Sequence, residues 1–130
     1  MPNLTDVGSL RIHTYEGNTR TFVFRLRVKG TRTPLDSSAA ASFKFEVERR
    51  DANATPANVI FTPIIVLPTD PGADFAQSVI PVTVGPSGPD ITKLKGSLIF
   101  SLTQVVGTTE TTLATGQLEI MERPGFNPPP

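Results

Sequence analysis

Residues 20–28 read RTFVFRLRV, so Phe22, Phe24, Leu26 and Val28 alternate with Thr21, Val23, Arg25 and Arg27. A period of two with one apolar and one polar phase is the pattern of a half-buried strand, and no helical phase fits it. Residues 41–49, ASFKFEVER, repeat the pattern with Phe43, Phe45 and Val47 against Ser42, Lys44, Glu46 and Glu48. Between the two runs Gly30, Pro34 and Asp36 supply turn chemistry.

Outward from this pair the same reading continues. Leu10 and Ile12 alternate with Arg11 and His13, which predicts an opening strand over Ser9 to Tyr15 closed by a turn at Glu16-Gly17-Asn18. Val59 to Leu67 is apolar but interrupted by Pro63, which has no N–H for a ladder, so it reads as an edge strand, a bulge or two short strands. Ala76 to Val84 alternates with Ser78, Ile80, Val82 and Val84 on one side, and Pro81 on the opposite phase predicts an edge position. Gly85 to Pro89 reads as a rigid loop and Asp90 to Leu94 as one short helical turn. Leu98, Phe100 and Leu102 mark a further strand. In the last strand Leu113 differs in parity from Leu118 and Ile120, and a bulge at Gly116 would repair the difference.

Short strands at this spacing predict an all-β chain, an antiparallel β-sandwich of about seven strands, with a barrel as the alternative. The chain has 130 residues, one domain's worth. The expected organisation is an N-terminal arm (1–8), a sandwich (9–121) and a Pro-rich C-terminal tail (122–130) reading ERPGFNPPP from Glu122, with Phe126 as an anchor for a neighbouring groove.

Composition removes several classes of chemistry. There is no Cys, which excludes a thiolate zinc site, a thiol nucleophile and a disulfide scaffold. Twelve basic residues balance twelve acidic ones, so the electrostatic footprint of a nucleic-acid binder is missing. The start shows no basic region followed by an apolar run, and no apolar stretch approaches membrane length, so a soluble chain without its own export signal is expected.

The candidate chemical sites read as ordinary structure. His13, the one His, falls on the polar phase of its strand with no nucleophile motif in the chain. Asp70 and Asp74 flank Pro71-Gly72 without the ligand density of a calcium loop, and read as a turn. Gly85 to Gly88 lacks the Lys-Ser/Thr of a phosphate cradle and carries a Pro within it. Asn3-Leu-Thr5 and Asn53-Ala-Thr55 match the glycosylation sequon incidentally, and Glu119 and Glu122 have nothing to place them in a cleft. No catalytic residue, metal ligand or cofactor site is expected, and the chain is not expected to be an enzyme.

Charge is distributed unevenly. From Arg11 to Arg50 nine basic residues face four acidic ones, a net of +5, whereas three basic and seven acidic residues follow from Asp51, a net of −4. This asymmetry predicts subunit complementarity, with Arg25, Arg27, Arg49 and Arg50 on a basic face that docks on an acidic face of a copy or another protein.

The paired strands TFVFRLRV and SFKFEVER, joined by a loop with Thr33-Pro34-Leu35-Asp36, resemble the immunoglobulin-like domain of tailed-bacteriophage virion proteins, notably at the start of baseplate upper proteins. The Gly17-Asn18-Thr19 turn, the late strand Gly96 to Leu102 and the closing strand Leu113 to Ile120 extend the resemblance over about Ser9 to Glu122. It departs at Ser37-Ser38, where the family loop continues with an apolar residue. The resemblance implies a non-enzymatic structural protein of the virion, associated with the tail or baseplate and acting in virion assembly by protein-protein docking. Head decoration on the capsid surface is the alternative, and an adhesin-like module for host-surface glycans a further one. The partners implied are other virion structural proteins, including copies of the chain in a symmetric assembly, with no nucleic acid and no membrane; the location implied is the virion, after synthesis in the host cytoplasm.

Overall fold

The alternating segments form strands in a computed structural model that describes residues 10–53, 58–85 and 96–124. The strands are β1 (Leu10–Tyr15), β2 (Arg20–Arg25), β3 (Ser42–Arg50), β4 (Asn58–Ile60), β5 (Ile64–Val66), β6 (Val79–Val84), β7 (Gly96–Val106) and β8 (Thr109–Met121). A 3-10 turn, Phe75–Gln77, precedes β6, and no α-helix occurs among the described residues. The arm before Leu10, the expected helical turn at 90–94 and the tail from Gly125, Phe126 included, lie outside them.

Two sheets result. The larger runs in the order β1-β8-β7-β3-β4, with β5 also on β3, and the smaller pairs β2 with β6. Phe22, Phe24, Ile80 and Val82 from the small sheet meet Phe43, Phe45, Phe100 and Leu118 from the large one in a common core. The Phe24 ring lies 5.9 Å from Phe45 and 5.8 Å from Phe100, centroid to centroid, so the layers touch through aromatic contacts. This is the packing of a β-sandwich, with every second residue of β2, β3 and β6 facing inward.

The sheet is mixed rather than antiparallel, which corrects the expectation. β8 pairs antiparallel with β7 through a two-residue loop, Gly107-Thr108, and Gly107 takes φ +59° there. Its other edge accepts β1 in parallel, with Leu10 opposite Gly116 and Tyr15 opposite Met121. A side chain at Gly116 would collide with the Leu10 carbonyl oxygen, so a glycine is what admits β1.

Two irregularities have local causes. β3 holds β5 through Phe43 to Phe45 and β4 through Glu48 to Arg50, and the register changes across the segment containing Pro63, so one edge strand is broken in two. The bulge in β8 falls opposite Leu102/Thr103 and not at Gly116. Leu113 and Ala114 are consecutive and both buried there, which is the parity change legible in the sequence.

Strand limits also differ from expectation in two places. β2 ends at Arg25, and Leu26 to Val28 instead pair with Thr33 to Leu35, through Val28 N–H to the Thr33 carbonyl (2.9 Å) and Leu35 N–H to the Leu26 carbonyl (3.0 Å). Ala76 belongs to the 3-10 turn, after which Ser78 adopts φ +56° before β6 begins. Asp74 caps that turn by accepting from Gln77 N–H.

Candidate docking surface

The outward phase of β2 is Thr21, Val23 and Arg25, with Arg27 following on the same phase. Arg25 and Arg27 are exposed as expected, and Arg27 also donates to the Arg32 carbonyl at 2.8 Å, which steadies the loop after β2. Together with Arg11 on the outward phase of β1 they border a groove of about 440 Å³ between the two strands. Its floor is apolar, formed by Ile12, Phe22, Phe24, Leu26, Leu35 and Leu113. Among the described residues no acidic side chain lines it.

Arg49 and Arg50 do not join this surface. Arg49 stands on the inward phase of β3 with Phe43, Phe45 and Val47 and is 7% exposed, so it presents no charge to a partner. The physical reason is parity: the alternation that buries Phe43 carries every second residue inward as far as 49. Arg50 is exposed and paired with Glu48 at 2.9 Å. It also sits at the far end of β3 from Phe43, whose ring packs edge-on against Phe75, 4.9 Å between centroids, near the Arg25 end of the small sheet. The seven residue steps from Phe43 to Arg50 span roughly 20 Å along β3. The expected single basic face is therefore divided, and Arg11 replaces Arg49 beside Arg25 and Arg27.

The remaining candidate residues occupy structural roles. His13 lies on the exposed phase of β1, and its carbonyl accepts from the Arg20 guanidinium, which also lies 4.8 Å from the centre of the Phe22 ring. Asp70 accepts from Leu67 N–H at 2.9 Å and closes a turn. Glu119 is outward on β8 beside Ser97. Of the remaining aromatic residues described, Phe75 is 4% exposed and belongs to the core, Phe61 packs partly against it, and Tyr15 at the end of β1 is 40% exposed. Among the described residues no group of three or more His, Cys, Asp or Glu is placed to hold a metal, and no helix is long and apolar enough to cross a membrane. The second residue of each sequon match and the centre of the 85–88 loop lie outside the described residues.

The start of the tail is held in a way that the sequence did not suggest. Arg123 N–H donates to Glu16 at 3.4 Å and its guanidinium to Asn18 at 2.7 Å, so the chain leaving β8 is fastened to the turn between β1 and β2. Glu16 N–H also donates to the Met121 carbonyl at 2.9 Å, which extends the parallel pairing by one bond.

Two charged groups have displaced pKa values. The Ser38 hydroxyl and N–H both donate to the Asp36 carboxylate and hold it below its ordinary 3.8. Glu110, 2.6 Å from the Lys44 ammonium, raises that group above its ordinary 10.5. Both pairs are exposed and neither lines the groove, although Asp36 directly follows Leu35 of its floor.

Compared with known proteins, the sequence matches no protein-family model and no curated sequence.

Proposed function

We propose that the chain is a non-enzymatic structural component of a tailed-phage virion, an immunoglobulin-like block associated with the tail or baseplate that acts by docking on its neighbours. The observation that carries this reading is the order of the strands. If β4 and β5 are counted as one broken strand, the large sheet contains the third, sixth and seventh strands and the small sheet the second and fifth, as in an immunoglobulin-type sandwich. The first and the broken fourth strand extend the large sheet at its two edges. The sequence motifs that resemble the phage domain fall on these strands: the aromatic runs on β2 and β3, and Gly96 to Leu102 on β7. Fold by itself does not define function, so the role in a particle rests on that resemblance and on the charged surface.

The surface supports docking more than ligand chemistry. Arg25 and Arg27 stand exposed at the rim of an apolar groove, where they set register with an acidic partner face. A glycan platform has less support, because Phe75 is in the core, Phe61 packs partly against it, and no second exposed aromatic accompanies Tyr15 among the described residues. The test is the double variant Arg25→Glu, Arg27→Glu. The isolated protein is expected to keep its fold, seen in an unchanged circular dichroism spectrum, and to be lost from assembled particles. Wild-type levels of incorporation would overturn the docking role of this surface.

A further inference from the structure

The pairing of β2 with β6 determines where the free backbone groups of β2 lie. Leu26 N–H donates to the Ser78 carbonyl at 3.3 Å, and the same register sets Phe24 opposite Ile80 and Phe22 opposite Val82. Hydrogen-bonded and non-bonded pairs alternate along an antiparallel ladder, so the even-numbered residues of β2 bond to β6. The N–H and C=O groups of Thr21, Val23 and Arg25 then point to the opposite edge, where no strand lies among the described residues. Pro81 agrees with this phase, since it faces Val23 in a pair that needs no donor.

The two outer edges of the small sheet are consequently unlike. The outer edge of β6 lacks a donor at Pro81, and Pro71 lies beside it. Proline at an edge obstructs the addition of another strand. The β2 edge has no proline from Arg20 to Thr33 and opens on the groove with the apolar floor. At one end of β1 the Arg20 guanidinium covers the His13 carbonyl; toward the other stand Arg11, Arg25 and Arg27.

We propose that the β2 edge receives an extended acidic strand from a partner protein, one that alternates carboxylate and aliphatic side chains. This rests on the docking role above and supplies its mode. Thr21, Val23 and Arg25 would provide the ladder bonds, aliphatic side chains would enter the groove, and carboxylates on the other phase would meet the three guanidinium groups. A phosphate backbone would answer the charges alone and leave the ladder groups and the apolar floor unmatched.

The experiment is amide exchange read by NMR on the full chain, free and with a blocked peptide of alternating Glu and Val, seven residues or so in length. In the free protein the Phe22 and Phe24 amides are protected by β6, while those of Thr21, Val23 and Arg25 exchange freely. Saturating peptide slows these three by about tenfold or more, as expected for newly formed ladder bonds. The Lys and Val counterpart has no effect, and added salt weakens the response. Val23→Pro removes one edge donor outside the β6 ladder and abolishes the slowing. Arg25→Glu keeps every backbone group, weakens binding, and serves if the proline variant does not fold.

Absence of slowing, or an equal response to the Lys peptide, overturns the proposal. So does protection of all three amides before peptide is added. If that protection survives dilution, the edge belongs to the chain's own residues before Leu10; if it is lost on dilution, it belongs to a second copy. Peptide binding by a chain that is absent from particles would refute the virion role and keep the strand site. A chain found in particles that ignores the peptide would do the reverse.

Discussion

Leu10 and Gly116 are register partners in the parallel β1–β8 pair, and the Leu10 carbonyl oxygen occupies the space that a side chain on Gly116 would need. The Phe100 ring closes the same space from the core side, 2.8 Å from where a methyl carbon would stand. Backbone on one side and a packed ring on the other leave little room to yield. Gly116→Ala is therefore expected to destabilise the protein by about 1–3 kcal/mol, the usual cost of overpacking. Urea unfolding measures it, and a midpoint equal to wild type would contradict the close approach.

Phe24, Phe45 and Phe100 join the two sheets, and Phe45 has no exposed surface. All three rings touch one another, and Phe45→Ala removes a fully buried one that lies 5.9 and 5.2 Å from the other two, centroid to centroid. A loss of about 3–5 kcal/mol is expected, from lost transfer energy and the cavity left behind. Equilibrium unfolding tests it, and a loss below about 1 kcal/mol would mean that the sheets do not depend on this contact.

Asp36 titrates below its ordinary value because Ser38 donates to its carboxylate from both hydroxyl and backbone N–H. A folded-state pKa that is depressed contributes stability above the unfolded value, and the contribution is lost as pH falls through the folded one. Ser38→Ala, which removes the hydroxyl and keeps the N–H, should move the Asp36 titration upward in carboxyl-detected NMR. An unchanged titration would assign the depression to the backbone alone.

Lys44 shows the opposite sign. Its pKa is raised by the hydrogen bond to Glu110, so its contribution is complete below the unfolded value and disappears as pH rises through the folded one. The pair is solvent-exposed, so the stabilisation is small and fades with salt. Glu110→Gln should lower the Lys44 pKa and leave the fold intact, which NMR titration of the ammonium resonance would show. A Lys44 pKa unmoved by the substitution would contradict the pairing.

Local alternation carried much of the fold into the sequence. Phe22 and Phe24, and Phe43, Phe45 and Val47, are inward because a period of two leaves a strand no other choice. Pro63 announced a broken edge for an equally local reason, the missing donor. What depended on partners was hidden. The parity change between Leu113 and Leu118 is visible, but the bulge lies at the consecutive buried pair Leu113 and Ala114, whereas Gly116 serves the approach of β1, a strand far away in the sequence. Arg49 was legible by the same alternation as Phe43, yet its charge argued for the surface and parity prevailed. The docking surface was half visible: Arg25 and Arg27 fall on the polar phase of β2, whereas Arg11 joins them only because β1 and β2 flank one groove.

The most direct measurement of the central claim is mass spectrometry of particles purified from the source of the chain, with tails and capsids separated beforehand. The account predicts the chain in the tail fraction at stoichiometric level. Recovery on capsids would contradict the tail and baseplate assignment and make the protein a head decoration, and absence from both fractions would contradict a structural role in the virion.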